Sequence, residues 1–366
     1  MSEKSDVSIR KFDFSDVDGI VELLNTSGFE TQSRFTSEWW KWKYELNPNG
    51  FWGEKGDIWV AEKDDKIVGH YAIIPEKVKI HSKVVSAAQS VDTATHPDYR
   101  RQRIFTTLAK KVYSDARDRY HFIFGFPSEM AYKGFIRLGW KNGFFPSEYV
   151  KILNYDQLSK RKFANDLVRW FGRSLLKISS NLNRASKALF IRNIKGNATE
   201  IHRLENFSEE TDILWERARR NFRVVLERTS SFLNWRFSRH FGCYEFFAGR
   251  SVRENEPIGY MVIRKRENTL DIVDLMTLPD EQRAMLQLID EAVKIGKDEG
   301  IDYARCWFPK WHKNAALLMK MGFIRTNQIS RLIRARTTPL IVYDLTPIEA
   351  LETSEWFYTL ADADYH

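Results

Sequence analysis

Apolar and polar positions along the first 140 residues switch repeatedly between two periods. Val7-Ser-Ile-Arg-Lys-Phe12 predicts a strand, and Asp16 stands where it can cap a helix running to about Asn25. Ser37-Glu-Trp-Trp-Lys-Trp-Lys-Tyr-Glu-Leu46 predicts a second helix, stopped by Asn47-Pro48-Asn49-Gly50. Asp57–Glu62 and Lys66–Ile74 predict a hairpin turning through Lys63-Asp64-Asp65, and Lys83–Thr95 a further strand or pair. Phe105 to about Arg117 reads as a helix with Leu108 and Val112 on one face. His121–Phe126 reads as a strand and Ser128–Leu138 as a short helix. Elements interleaved in this way predict an α/β (α+β) chain with mixed sheets.

The second half repeats the order with some of the same residues. Trp42-Lys43-Tyr44 is echoed by Trp235-Arg236-Phe237, and Ile67-Val68-Gly69 by Pro257-Ile258-Gly259. Val91-Asp92-Thr93-Ala94-Thr95-His96-Pro97-Asp98 matches Val273-Asp274-Leu275-Met276-Thr277-Leu278-Pro279-Asp280. Phe126-Pro127 matches Phe308-Pro309, and Gly139-Trp140 matches Gly322-Phe323. Five pairs in order, at slowly drifting offsets, predict two copies of one mixed-sheet unit. The expected division is a first unit over 1–153, a basic helical linker over 154–197, a second unit over 198–345 and a tail over 346–366.

Composition removes whole classes. With 366 residues, 43% of them hydrophobic, the chain can fill two cores and is not a disordered or low-complexity chain. Two cysteines, Cys243 and Cys306, make no disulfide framework or Cys-rich zinc module. No run reaches 18 apolar residues, and Met1-Ser-Glu-Lys-Ser-Asp leads into no apolar segment, so the expected location is the cytoplasm. The net charge of +8 is concentrated: positions 151–195 hold eleven Lys/Arg against Asp156 and Asp166. There Phe163, Leu167, Phe171, Leu175 and Leu182 recur near helical spacing among Arg161, Lys162, Arg169, Arg173, Lys177 and Arg184. That pattern suits a helical arm packed on one unit with its charges solvated. It also suits peripheral contact through 160–190 with the inner face of a membrane.

The most informative stretch runs from Ser90 to Lys110, where a strand enters a short basic turn and the turn opens a helix at about Ile104. The first N–H groups of a helix lack internal partners and carry the positive end of its dipole. Arg100, Arg101 and Arg103 stand beside them, which suits a phosphate or pyrophosphate. A solvated basic turn is the plainer alternative.

Strand, His96-Pro-Asp-Tyr-Arg-x-x-x-Ile104 and helix together resemble the acyl-CoA loop of the GNAT N-acetyltransferase superfamily. Ser128-Glu-Met-Ala-Tyr-Lys-Gly-Phe-Ile-Arg-Leu-Gly-Trp140 resembles the motif that follows in that family, and the hairpin ending Ile67-Val68-Gly69 also fits. The resemblance covers about Val7 to Ile152 and extends, more weakly, to about 200–332. It implies a sheet with a splayed strand pair, acetyl-CoA or another acyl-CoA as co-substrate, and no metal. The positions it marks for the co-substrate are Thr93, Thr95, Arg100, Arg101, Gln102, Arg103, Ile104 and Phe105. The family's two turn glycines fall on Arg101 and Arg103, and its tyrosine general acid falls on Phe135, which has no proton to donate. Tyr132, one turn earlier, is the remaining hydroxyl on that helix. The second half has Glu281-Gln-Arg-Ala-Met-Leu-Gln287 in place of the loop and is expected to lack a co-substrate site.

Direct transfer to an amine requires a polarised thioester carbonyl and a group to take the amine's proton. Asp92 and His96, on and just beyond the central strand, are the nearest bases, although Asp92 recurs as Asp274 and His96 precedes a proline in a turn. No Gly-x-Ser-x-Gly elbow, Walker loop or His-x-x-x-His pair occurs. The expected function is N-acyl transfer, chiefly of acetyl, to a small-molecule, lipid-linked or sugar amine. A non-catalytic binding or scaffold protein of the same fold is one rival. An aminoacyl-tRNA-dependent Fem-type peptidyl transferase is the other.

Overall fold

The computed structural model describes residues 6–28, 35–50, 57–155, 157–158, 194–238, 242–326, 338–346 and 351–364. The basic stretch expected to join the two units therefore lies almost wholly outside the described residues.

Two mixed sheets form the frame. The first is built from β1 (Ser8–Lys11), β2 (Ile58–Lys63), β3 (Lys66–Ile80), β4 (Lys83–Thr95), β5 (Phe122–Gly125) and β6 (Lys141–Phe144). The next strand, β7 (Glu148–Ile152), leaves that sheet. It joins β8 (Thr199–Leu204), β9 (Val224–Leu226) excepted, with β10 (Tyr244–Ser251), β11 (Pro257–Lys265), β12 (Thr269–Thr277), β13 (Tyr303–Trp307) and β14 (Ile324–Arg325). In return β15 (Leu340–Asp344) crosses into the first sheet, between β5 and β6, while β7 lies between β13 and β14 of the second. The boundaries expected at 153 and 198 therefore do not separate the sheets, because each takes its late strand from the other half of the chain.

The tail completes the exchange. Trp356 and Phe357 form β16, which pairs with β9, and β9 itself pairs with the far end of β3. Trp356 is fully buried against Phe122 and Phe124 of β5, with ring centroids 6.2 and 5.3 Å away. One hydrophobic core accordingly contains Ile74, Phe124, Trp235, Tyr260, Leu318 and Trp356 together. A second, smaller core lies on the other face of the first sheet.

Local choices follow the sequence. The β2–β3 turn has Asp64 and Asp65 both at positive φ, the pattern of a two-residue turn whose twist matches its strands. Strand β3 runs past the expected end at Ile74 and carries Pro75 in its middle. Proline is tolerated because it falls between the stretch paired to β2, ending at Ala72, and that paired to β9, starting at Val78. Helix α1 spans Val17–Thr26; the next, α2, is α-helical only over Ser37–Trp40, and Lys41–Glu45 continues it as one π turn. No helix among the described residues is long and apolar enough to cross a membrane.

Candidate functional site

The site begins where β4 leaves β5. The two strands pair at Ala88–Ile123 and Gln89–Phe124. A Cβ on Gly125 would stand 3.4 Å from Ser90 O, the last close approach, and beyond it β4 continues without β5 as partner. Asp92 adopts φ +47, and Asp92 and Thr93 together stand opposite Tyr71 in a bulge. Bulges re-aim side chains and end pairing. Thr93 Oγ1 is buried here with no hydrogen-bond partner among the described residues, and Thr95 pairs with Gly69.

At the end of β4 the chain makes a 3-10 turn over Pro97–Tyr99, for which His96 is the cap: its Nδ1 accepts from the Asp98 N–H at 3.4 Å. Four exposed residues, Arg100 to Arg103, then lead into helix α3, which spans Ile104–Ala116. Arg101 sits at φ +65 and Arg103 at φ +62. The turn therefore keeps the left-handed backbone that glycine adopts freely, at a cost of about 1–2 kcal/mol for each arginine. The N-cap residue Arg103 makes no side-chain hydrogen bond to α3, whose leading amides have no partner within the helix. The guanidinium of Arg100 reaches Thr95 O and Ser27 O at 3.4 Å, and those of Arg101 and Arg103 lie in solvent. Gly69 seats the helix: a Cβ there would come within 2.6 Å of Ile104 Cγ2. The result is a helix start without a side-chain cap, ringed by exposed cations, beside the point where β4 and β5 part.

Aromatic side chains floor the cleft on the α3 side. Phe105 lies 5.2 Å from Phe135, which belongs to helix α4 (Glu129–Arg137). Phe135 is buried against Tyr71 and Trp140. Beneath it runs a chain of polar atoms: Ser90 Oγ to Tyr71 OH at 3.1 Å, Tyr71 OH to Tyr113 OH at 3.0 Å, and Trp140 Nε1 donating to Tyr113 OH at 2.7 Å. Burial pushes the Tyr71 and Tyr113 hydroxyls above the ordinary phenol range, so both stay protonated. Tyr132 packs against the same core and donates its hydroxyl to Asn142 Oδ1 of β6 at 2.8 Å.

On the opposite face of β4 lies a buried polar cluster. The Asp92 carboxylate is 2.7 Å from Lys43 Nζ and accepts from Tyr44 OH at 2.5 Å. Lys43 also contacts Asp364 at 2.5 Å. Burial pushes the Asp92 carboxyl up against the pull of Lys43, and the Asp364 carboxylate adds to the rise. Asp92, expected as an accessible base, is thus held inside an ion cluster. His70 stands beside it, its Nδ1 2.8 Å from Asp92 O, which requires the proton on Nδ1. Burial lowers its pKa to about 4, leaving a neutral ring whose Nε2 has no partner among the described residues.

The model of an acetyltransferase (GNAT) domain matches residues 8–143. The fold agrees over nearly the whole chain. A GCN5-related N-acetyltransferase from Anabaena variabilis superposes with a TM-score of 0.62 at 10% identity, covering 93% of this chain and 73% of that one. One from Kribbella flavida gives 0.59 at 12% identity, covering 93% and 71%. Saccharomyces cerevisiae N-myristoyltransferase with bound myristoyl-CoA gives 0.58 at 12% identity, covering 94% and 84%. No curated protein matches the sequence.

Within residues 8–143, Thr93, Thr95 and the 100–105 turn lie along the stretch where β4 runs on without β5, whereas the Tyr132 hydroxyl is bonded to Asn142 and Asp92 is held in the cluster with Lys43 and Tyr44. Ser90, Tyr71, His70, Lys43 and Tyr44 also belong to these surroundings and were not expected from the sequence. The long hydrophobic run of β3 hides Tyr71 and His70, and Lys43 and Tyr44 lie about 50 positions from Asp92.

Proposed function

We propose that the chain transfers an acyl group, acetyl in the first instance, directly from acyl-CoA to an amine. The observation that carries this reading is the loop, where Arg101 and Arg103 hold the left-handed turn in front of an uncapped helix at the mouth of the β4–β5 cleft. The amides of the turn and first helical turn, with Arg100, Arg101 and Arg103 around them, would hold the pyrophosphate. The diverging strands would admit the rest of the thiol arm, and Thr93 Oγ1 offers an unused polar atom within reach of the bulge.

We place the co-substrate in the first sheet only. In the second, the helix Gln282–Asp298 starts at the matching position, but its end is already occupied. Glu281 accepts from the Asn197 amide at 2.8 Å, and the Arg283 amide donates to Lys195 O at 3.1 Å. Descent of the second half from a copy of the first is supported by register: Gly69 faces Thr95 and Gly259 faces Thr277. The same ladders carry bulges at Asp92 and next to Asp274.

The test is thiol release from acetyl-CoA over a panel of small amines, amino sugars and polyamines, repeated with longer acyl chains. Release that depends on one amine class supports the reading. Acyl-CoA binding with no transfer to any amine returns the chain to the binding or scaffold alternative.

A further inference from the structure

We propose that the second sheet carries an oxyanion site, built around Arg264, Arg266 and Arg305, that takes a phosphate group. The site lies outside the acyl-CoA reading above and does not depend on it.

Its base is a polar row across four strands. Tyr244 of β10 stands opposite Arg264 of β11, Arg264 opposite Asp271 of β12, and Asp271 beside Arg305 of β13. Residues in direct register share one face of a sheet. Asp271 is fully buried, and Arg264 and Tyr244 are buried with it. The Asp271 carboxylate accepts from Arg264 Nη2 at 3.0 Å and from Arg305 Nε at 2.5 Å. Glu148 of β7 extends the row, accepting from Arg305 Nη1 at 3.4 Å. At the spacing of the repeated motifs, the first half has Gln89 and Ile123 where the second has Asp271 and Arg305. The row is therefore no part of the repeated frame.

Three guanidiniums here share two carboxylates, and Arg266 is the one left short. Its Nε stands 3.2 Å from Asp271 Oδ2, out of line for a hydrogen bond, and its guanidinium has no hydrogen-bond acceptor among the described residues. Glu148 Oε2 is buried and likewise has no hydrogen-bond partner among them. The Arg266 and Arg305 side chains are 25% and 28% exposed, so an ion can reach both from solvent.

The chemistry of the gap selects its ligand. With both carboxyls ionised the row carries one positive charge too many. Burial lowers the Arg266 guanidinium against the pull of Asp271, and the charges of Arg264 and Arg305 lower it further. Burial also pushes the Glu148 carboxyl up against the pull of Arg305, and a protonated carboxyl has a hydrogen to donate. A phosphate brings a charge of about −1.5 to −2 and several acceptor oxygens. It would occupy the unused fork of Arg266, offset the surplus cation and give Glu148 an acceptor.

The experiment is calorimetric titration of inorganic phosphate into the full chain carrying Arg101→Glu/Arg103→Glu, so that the loop before α3 does not contribute. One saturable site is expected. Adding Arg266→Met, a change at a partly exposed position, is expected to weaken it at least about tenfold through loss of one charge-assisted fork. Arg266→Lys keeps the charge without the fork and is expected to fall between the two. Arg266→Met alone is expected to keep Kd for acetyl-CoA within about twofold of wild type. Glycerol phosphate that binds as tightly as inorganic phosphate supports a monoester as the ligand, and binding of inorganic phosphate alone supports the free ion. No binding of either, equal affinity with and without Arg266→Met, or an equal response to chloride at matched ionic strength overturns the proposal. A wild-type protein that does not bind acetyl-CoA overturns the acyl-CoA reading and leaves this one standing.

Discussion

Trp42 and Trp235 each donate the indole N–H to the other's backbone carbonyl, both at 2.7 Å. The two residues occupy matching places in the repeated motifs, and their rings lie 5.8 Å apart. Their neighbours Lys43 and Arg236 also match, and both converge on Asp364, at 2.5 and 3.7 Å. The two halves of the chain thus meet through this reciprocal pair of hydrogen bonds, with the Asp364 carboxylate beside both neighbouring cations. Trp42→Phe removes one donor, leaves the Trp235 carbonyl buried without it and opens a small gap. The expected loss is about 1–3 kcal/mol of stability, read as a lower midpoint in urea unfolding.

The exchange of β7 and β15 makes the halves dependent on each other. A fragment ending at 153 lacks β15, which pairs on both sides, and lacks Trp356 over Phe122 and Phe124. That fragment is expected to show no cooperative thermal transition. A sharp transition from 1–153 alone would contradict the interlocked arrangement.

Arg101 sits at φ +65, a conformation that costs a residue with a side chain but not glycine. Arg101→Gly is expected to raise stability by about 0.5–1 kcal/mol, strain relief outweighing the greater freedom glycine has when unfolded. Differential scanning calorimetry reads the shift as a higher Tm, and a lower Tm would mean that the side chain contributes more than its backbone costs.

Glu76 points into the core between the sheets, where burial raises its pKa to about 8 and Asn49 Nδ2 donates to Oε2 at 3.3 Å. Folded, the carboxyl keeps its proton up to about pH 8, whereas the unfolded chain releases it near the ordinary glutamate value of 4.5. The folded state therefore binds more protons across that interval, and this group's contribution to stability falls as pH rises through it. The slope is at most about 1.4 kcal/mol per pH unit. Glu76→Gln keeps the shape without the charge, so its Tm should decline less than the wild-type Tm between pH 5.5 and pH 8.

Much of the frame was legible because it is written in short-range patterns. The alternation over Ser8–Lys11, the paired aspartates of the β2–β3 turn and the basic loop before α3 all predict their elements within a few residues. What lay beyond reach is long-range. Strand 148–152 pairs with Tyr303–Trp307, about 150 positions away, and no local pattern names such a partner. The pairing of Asp92 with Lys43 and Tyr44 is of the same kind, as is the commitment of Tyr132 to Asn142. The loop arginines were ambiguous for another reason. Sequence shows that glycine is missing, whereas only backbone angles show that its conformation is kept.

We propose that this loop holds the phosphates of acyl-CoA. Calorimetric titration with acetyl-CoA tests it directly, on the wild type and on Arg101→Glu/Arg103→Glu. A single saturable site is expected in the wild type, weakened at least about tenfold by the double charge reversal, since each lost charge-assisted contact is worth about 1.5–3 kcal/mol. Equal affinity in the two proteins, or no heat in either, would contradict it.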